Sequence, residues 1–145
     1  MDGQSIATLG LALCAALCGI GSAIGLYFTG SAASGVLAED SKKFSKVLIL
    51  VVLPATQGIY GFVLAIIGMG NASMVQTVAE GWKLFAAAMP LAFAGLISGI
   101  FQGKTAVSGI YAVAKDQSLS GKLILFPAMV ETYAILGLVV SILLM

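Results

Sequence analysis

A chain of 145 residues that is 60% hydrophobic and 9% charged, with a mean hydropathy of +1.10, cannot hide its apolar surface as a soluble domain. A net charge of +1 says nothing about nucleic acid, but no basic stripe is present, and no nucleic-acid partner is expected. With no histidine and only two cysteines, a zinc, haem or iron–sulfur centre has too few ligands, and the lipid bilayer is the expected surrounding.

The first element is uncharged from Gly3 to Ala38. As a helix it is ~54 Å long at 1.5 Å per residue, well beyond a ~30 Å hydrocarbon core, so it is expected to protrude from the membrane. Met1 and Asp2 form no basic signal-peptide head, and the run is expected to remain in the mature chain. Cys14 and Cys18, one turn apart, act as small apolar residues. Gly21 and Gly25 allow close helix approach.

The second element is uncharged from Val47 to Ala79 and carries Pro54, Thr56, Gln57 and Tyr60. The third runs from Leu84 to Ala114, broken only by Lys104, with Gly95, Gly99 and Gly103 repeating the small-residue stripe. The fourth runs from Leu123 to Met145, broken only by Glu131, with Pro127 near its start. The expectation is an all-α membrane protein of four transmembrane helices, the first and third packed innermost. Pro54 and Pro127 each remove one helical donor and free a carbonyl one turn earlier.

Lysine sets the orientation, because the chain has no arginine. Lys42, Lys43 and Lys46 flank one connection and Lys115 and Lys122 another, against Lys83 alone on the opposite side. The lysine-bearing loops, around 39–46 and 115–122, are therefore expected in the cytoplasm and both termini outside.

The chain also repeats itself. "SGVLAED" at 34–40 answers "SGIYAVAKD" at 108–116, and Pro54 to Tyr60 has the spacing of Pro127 to Tyr133. The two copies run the same way through the membrane, giving one domain of residues 1–145 made of hairpins at 1–72 and 80–145. Aligned on the prolines, Glu131 falls opposite Gly58, so only the second hairpin holds an intramembrane acid.

A charge at the bilayer centre costs at least ~2.5 kcal/mol, which makes Glu131 a functional candidate. Depth strengthens this. Gln57 lies about 12 residues past Ser45, Glu131 about 12 past Leu119 and Gln102 about 13 before Lys115, each near 18–20 Å along its helix. Leu53, Thr56, Gln57 and Tyr60 share one helical face. A dehydrated monovalent cation needs such a set of oxygens: the Glu131 carboxylate, the Gln57 and Gln102 amides, the Thr56 hydroxyl and a proline-freed carbonyl. Tyr60 is placed to donate its hydroxyl hydrogen to Glu131. A proton site needs only the acid, so the extra oxygens favour sodium. Lys104, two residues from Gln102, should point away from that face, with a direct ion pair to Glu131 as the alternative.

"LPATQGIYGF", "SGIFQGK" and "FPAMVETYAILG" together make the chain resemble, over essentially its whole length, the rotor-ring proteolipids (K or c subunits) of V-type and archaeal-type ATPases, most closely the bacterial sodium-translocating ones. The resemblance implies a non-catalytic subunit with no organic cofactor, assembled as identical copies into a ring in the cell membrane. It implies one sodium ion per subunit, held by the Leu53 carbonyl, Thr56, Gln57, Gln102 and Glu131, with Tyr60 on the acid. A related proton-carrying ring is the alternative. It further implies central-stalk subunits, a catalytic head that hydrolyses or makes ATP, and a stator membrane subunit supplying a positive residue in trans. Ala55, beside the site, departs from the family pattern at a packing position.

Overall fold

The computed structural model describes residues 1–145 as an all-helical chain with four helical stretches long and apolar enough to cross a membrane. Helix α1 (Gly3–Glu39) starts at Asp2, whose carboxylate accepts the Ser5 N–H at 2.8 Å and so satisfies one of the free first-turn donors. Helices α2 (Phe44–Val52) and α3 (Thr56–Met74) form the second span, and α4 (Val78–Lys115) forms the third. Helices α5 (Ser120–Leu123) and α6 (Leu125–Leu144) form the fourth.

The repeat visible in the sequence is also a repeat of local geometry. Asp40 and Asp116 both stop a long helix in extended conformation (φ −151°, ψ 99° and φ −141°, ψ 103°). Each carboxylate then accepts an N–H two residues on, from Lys42 and Ser118, and opens a three-residue 3₁₀ turn. The hairpins themselves join across Val75–Thr77, a tighter junction than the boundaries 1–72 and 80–145 expected from sequence. A capping box explains the early start of α4: Thr77 accepts the Glu80 N–H while the Glu80 carboxylate accepts the Gln76 and Thr77 N–H groups.

Helices α1 and α4 lie side by side and parallel, with glycine setting their distance. A Cβ on Gly21 would come within 2.6 Å of the Leu96 carbonyl oxygen, and one on Gly99 within 2.7 Å of the Gly21 carbonyl carbon. The backbones therefore touch, and the dispersion gained by that approach replaces the hydrophobic effect that lipid does not supply. Helix α3 runs back along α1, Gly61 against Cys18 and Gly68 against Leu11, while α6 packs on α4 with Gly137 against Ala94. Cys14 and Cys18 are buried and free, filling this packing as small apolar groups.

Two apolar clusters result. One gathers Leu11, Cys14, Leu64, Leu84 and Leu91, and the other gathers Val36, Val47, Leu50, Ile110 and Val113 beside the lysine-bearing loops. The buried polar residues Ser22, Thr29, Gln57, Ser98 and Gln102 lie along the helices between the two. The fold thus holds a polar layer sandwiched in apolar packing.

Candidate ion-binding site

The site begins with a break in the second span. Pro54 has no N–H to donate, and the helix tightens into a 3₁₀ turn over Leu53–Ala55 before α3 resumes at Thr56. Buried hydroxyls of α1 repair the backbone on both sides. Thr29 donates to the Val51 carbonyl at 2.9 Å, and Ser22 accepts the Gly58 N–H at 2.7 Å. The Leu53 carbonyl accepts both the N–H and, at 3.0 Å, the hydroxyl of Thr56. Carbonyls freed by proline were the expectation from sequence. In the structure hydroxyl groups reach the carbonyls of Val51 and Leu53, while the carbonyl four residues before Pro54 is that of Leu50.

From Thr56 the contacts run inward without a gap. Its hydroxyl lies 3.4 Å from Gln57 Oε1, and Gln57 Nε2 donates to Gln102 Oε1 at 2.6 Å. Gln102 Nε2 donates to Glu131 Oε2 at 3.2 Å, and the Tyr60 hydroxyl donates to Glu131 Oε1 at 2.6 Å. Gln57 and Gln102 have no exposed surface, whereas Glu131 and Tyr60 are half-buried. Gln57, Gln102, Glu131 and Tyr60 therefore form one hydrogen-bonded series across α3, α4 and α6, and Thr56, whose hydroxyl hydrogen goes to Leu53, lies beside it. Leu53 touches it through Thr56, with no direct bond to the acid.

The charge of Glu131 has no partner inside the chain. The one ion pair is the loop pair Lys43–Asp40 at 3.8 Å. Lys104 is exposed, its ammonium 5.4 Å from the Phe101 ring centre and 5.8 Å from that of Phe28, on the opposite side from Gln102. A carboxylate with hydrogen-bond donors, neutral oxygens and no cation beside it is chemically suited to accept one positive charge, after which the group is neutral.

Two contributors were not singled out from the sequence, Ser22 and Thr29, and away from the site the Ser141 hydroxyl likewise accepts the Leu91 N–H at 3.1 Å just after Pro90. Pro90 itself lies inside α4, which continues through it. Ser22 and Thr29 are seven residues apart, hence on one helical face, which was the available signal.

The family of ATP synthase C subunits matches the chain twice, at residues 9–68 and 85–144, one match per hairpin. The chain is 46% identical over 142 residues to the V-type sodium ATPase subunit K of Enterococcus hirae, covering 98% of this chain and 91% of that protein. It is 40% identical over 145 residues to the A-type ATP synthase subunit K of Methanocaldococcus jannaschii, covering 100% of this chain and 64% of the archaeal protein. Identity to the c'' subunit of the V-type proton ATPase of Saccharomyces cerevisiae is 28% over 145 residues, covering 94% of this chain and 68% of the yeast protein.

Proposed function

Because the chain belongs to the ATP synthase C-subunit family, we propose that it is the rotor-ring proteolipid of a V-type ATPase and carries sodium across the membrane on Glu131. The observation that carries this reading is the buried Gln57–Gln102–Glu131 series, closed by Tyr60, with no cation of the chain's own beside the acid. Oxygens of Leu53, Thr56, Gln57, Gln102 and Glu131 are the sodium ligands, one ion per subunit, because the first hairpin has Gly58 where the second has Glu131.

The ion neutralises the carboxylate, so the loaded subunit passes through lipid without the ~2.5–3.5 kcal/mol or more that a bare charge costs at mid-bilayer. Tyr60 and Gln102 hold the two carboxylate oxygens in place while the ion is aboard. Release needs a competing positive charge. With no arginine in the sequence and Lys104 turned away, that charge comes from a stator subunit. The chain performs no catalysis: a separate head hydrolyses or makes ATP, and central-stalk subunits pass the rotation to the ring. The loops beginning at Asp40 and Asp116 face the cytoplasm, where their lysines satisfy the positive-inside rule, and both termini lie outside.

Carbodiimide labelling of the membrane complex tests the reading. Modification confined to Glu131 and slowed by sodium supports it. Labelling of Glu131 that sodium does not change at any pH would make the ring a proton carrier.

A further inference from the structure

Three residues of α1 clasp the broken stretch of the second span from one side. Ser22, Gly25 and Thr29 lie at i, i+3 and i+7, one face of the helix. Thr29 donates to the Val51 carbonyl before the break, and a Cβ on Gly25 would come within 2.6 Å of Pro54 Cβ. After the break, Ser22 Oγ accepts the N–H of Gly58 at 2.7 Å. Of the three, Ser22 is the one that bonds to the peptide group joining Gln57 to Gly58, next to a residue of the ion site.

The bond depends on a glycine as its donor. A Cβ on Gly58 would lie 3.2 Å from Ser22 Oγ, close enough to push the hydroxyl off the N–H. In the second hairpin the place of Gly58 is taken by Glu131, and Leu96 answers Ser22 when Gly21 and Gly25 are set on Gly95 and Gly99. One hairpin carries the acid, and the other carries a backbone anchor.

We propose that Ser22 is a positioning residue of the ion site: by holding the Gln57–Gly58 peptide against α1, it fixes where Gln57 presents its amide oxygen. This rests on the sodium reading above and deepens it. Gln57 is then held at two points, its side-chain tip by Gln102 at 2.6 Å and its backbone by Ser22. A cation drawing on the oxygens of Leu53, Thr56 and Gln57 loads this short segment, and the glycine beside Gln57 gives it no stiffness of its own. An anchor in place before the ion arrives lowers the ordering cost of binding and keeps the cage at one size.

Sodium titration of carbodiimide labelling on the assembled membrane complex tests this, with Ser22→Ala against Ser141→Ala. Ser141 also accepts a buried N–H, that of Leu91 at 3.1 Å, but lies about 15 Å along α6 from Glu131. Ser22→Ala should weaken sodium about tenfold, as the loss of a group that orients a metal ligand does, and narrow the preference for sodium over lithium. Ser141→Ala should change neither. Equal shifts in the two variants, or none in Ser22→Ala, would overturn the role given to Ser22 and leave sodium carriage intact. Wild type that sodium fails to protect would overturn the sodium reading itself. Gly58→Ala gives a second route: its methyl should displace the hydroxyl and weaken sodium by a similar factor, and adding Ser22→Ala should then weaken it little further. Additive losses would count against a shared bond.

Discussion

Gln57 and Gln102 meet amide to amide at 2.6 Å with no exposed surface on either, joining the two hairpins at the depth of the acid. Each glutamine satisfies the other, so removing one strands a buried polar group at a cost of about 1–3 kcal/mol. Gln57→Ala or Gln102→Ala should therefore lower the thermal stability of the ring and weaken sodium binding by about tenfold or more. Thermal denaturation and sodium titration of the purified ring measure the two effects. Replacing both together should cost less stability than the sum of the single changes.

Tyr60→Phe removes only the donor to Glu131 Oε1. A hydrogen bond to a charged group contributes about 1.5–3 kcal/mol, so sodium affinity should fall by roughly ten- to a hundredfold while rings still assemble. A sodium titration of carbodiimide labelling reads this directly. An unchanged affinity would place Tyr60 outside the machinery that holds the carboxylate.

Thr29→Val keeps the shape of the side chain and deletes the hydroxyl that reaches the Val51 carbonyl at 2.9 Å. The Val51 carbonyl beside the proline break loses this partner, and the protein should lose about 1 kcal/mol. Loss of stability without a change in sodium affinity is the expected pattern, measured by thermal unfolding in detergent alongside sodium titration.

Gly99→Ala should damage the α1–α4 contact, because its Cβ would fall 2.7 Å from the Gly21 carbonyl carbon and 2.9 Å from its oxygen. Overpacking of this kind costs about 1–3 kcal/mol. Gly30→Ala is the control on the same pair of helices, since nothing lies within 4 Å of its Cβ. It should be neutral or stabilising by up to about 1 kcal/mol through helix propensity. Comparing the dissociation temperatures of the two rings checks the pair.

Hydrogen bonds from Ser118 hold the Asp116 carboxyl below its ordinary value of 3.8. A depressed folded-state pKa gives a stabilisation that is present above the ordinary value and fades as pH falls through the lower, folded one. The turn at Gln117–Leu119 should thus open to acid-active protease only below about pH 3.8, and Asp116→Asn should shift that onset.

Most of the architecture was legible because the membrane writes it in large units: long uncharged runs, lysines at one end and a duplicated hairpin. The site was legible for a related reason. Gln57, Gln102 and Glu131 are costly where they stand, and their shared depth predicts the side-chain contacts that the structure shows among them. The 3₁₀ turn at Leu53–Ala55 was not, because proline announces a lost donor without saying how the backbone will rearrange. Ser22, Thr29 and Ser141 were hidden for another reason. A small hydroxyl residue in an apolar helix looks the same in sequence whether it packs like alanine or repairs a neighbour's backbone.

The most direct measurement is equilibrium binding of radioactive sodium to the purified ring, wild type against Glu131→Gln. The account predicts saturable binding of one ion per chain, lost in the variant. Saturable binding that survives Glu131→Gln, or no saturable binding in a ring whose Glu131 still reacts with carbodiimide, would contradict it.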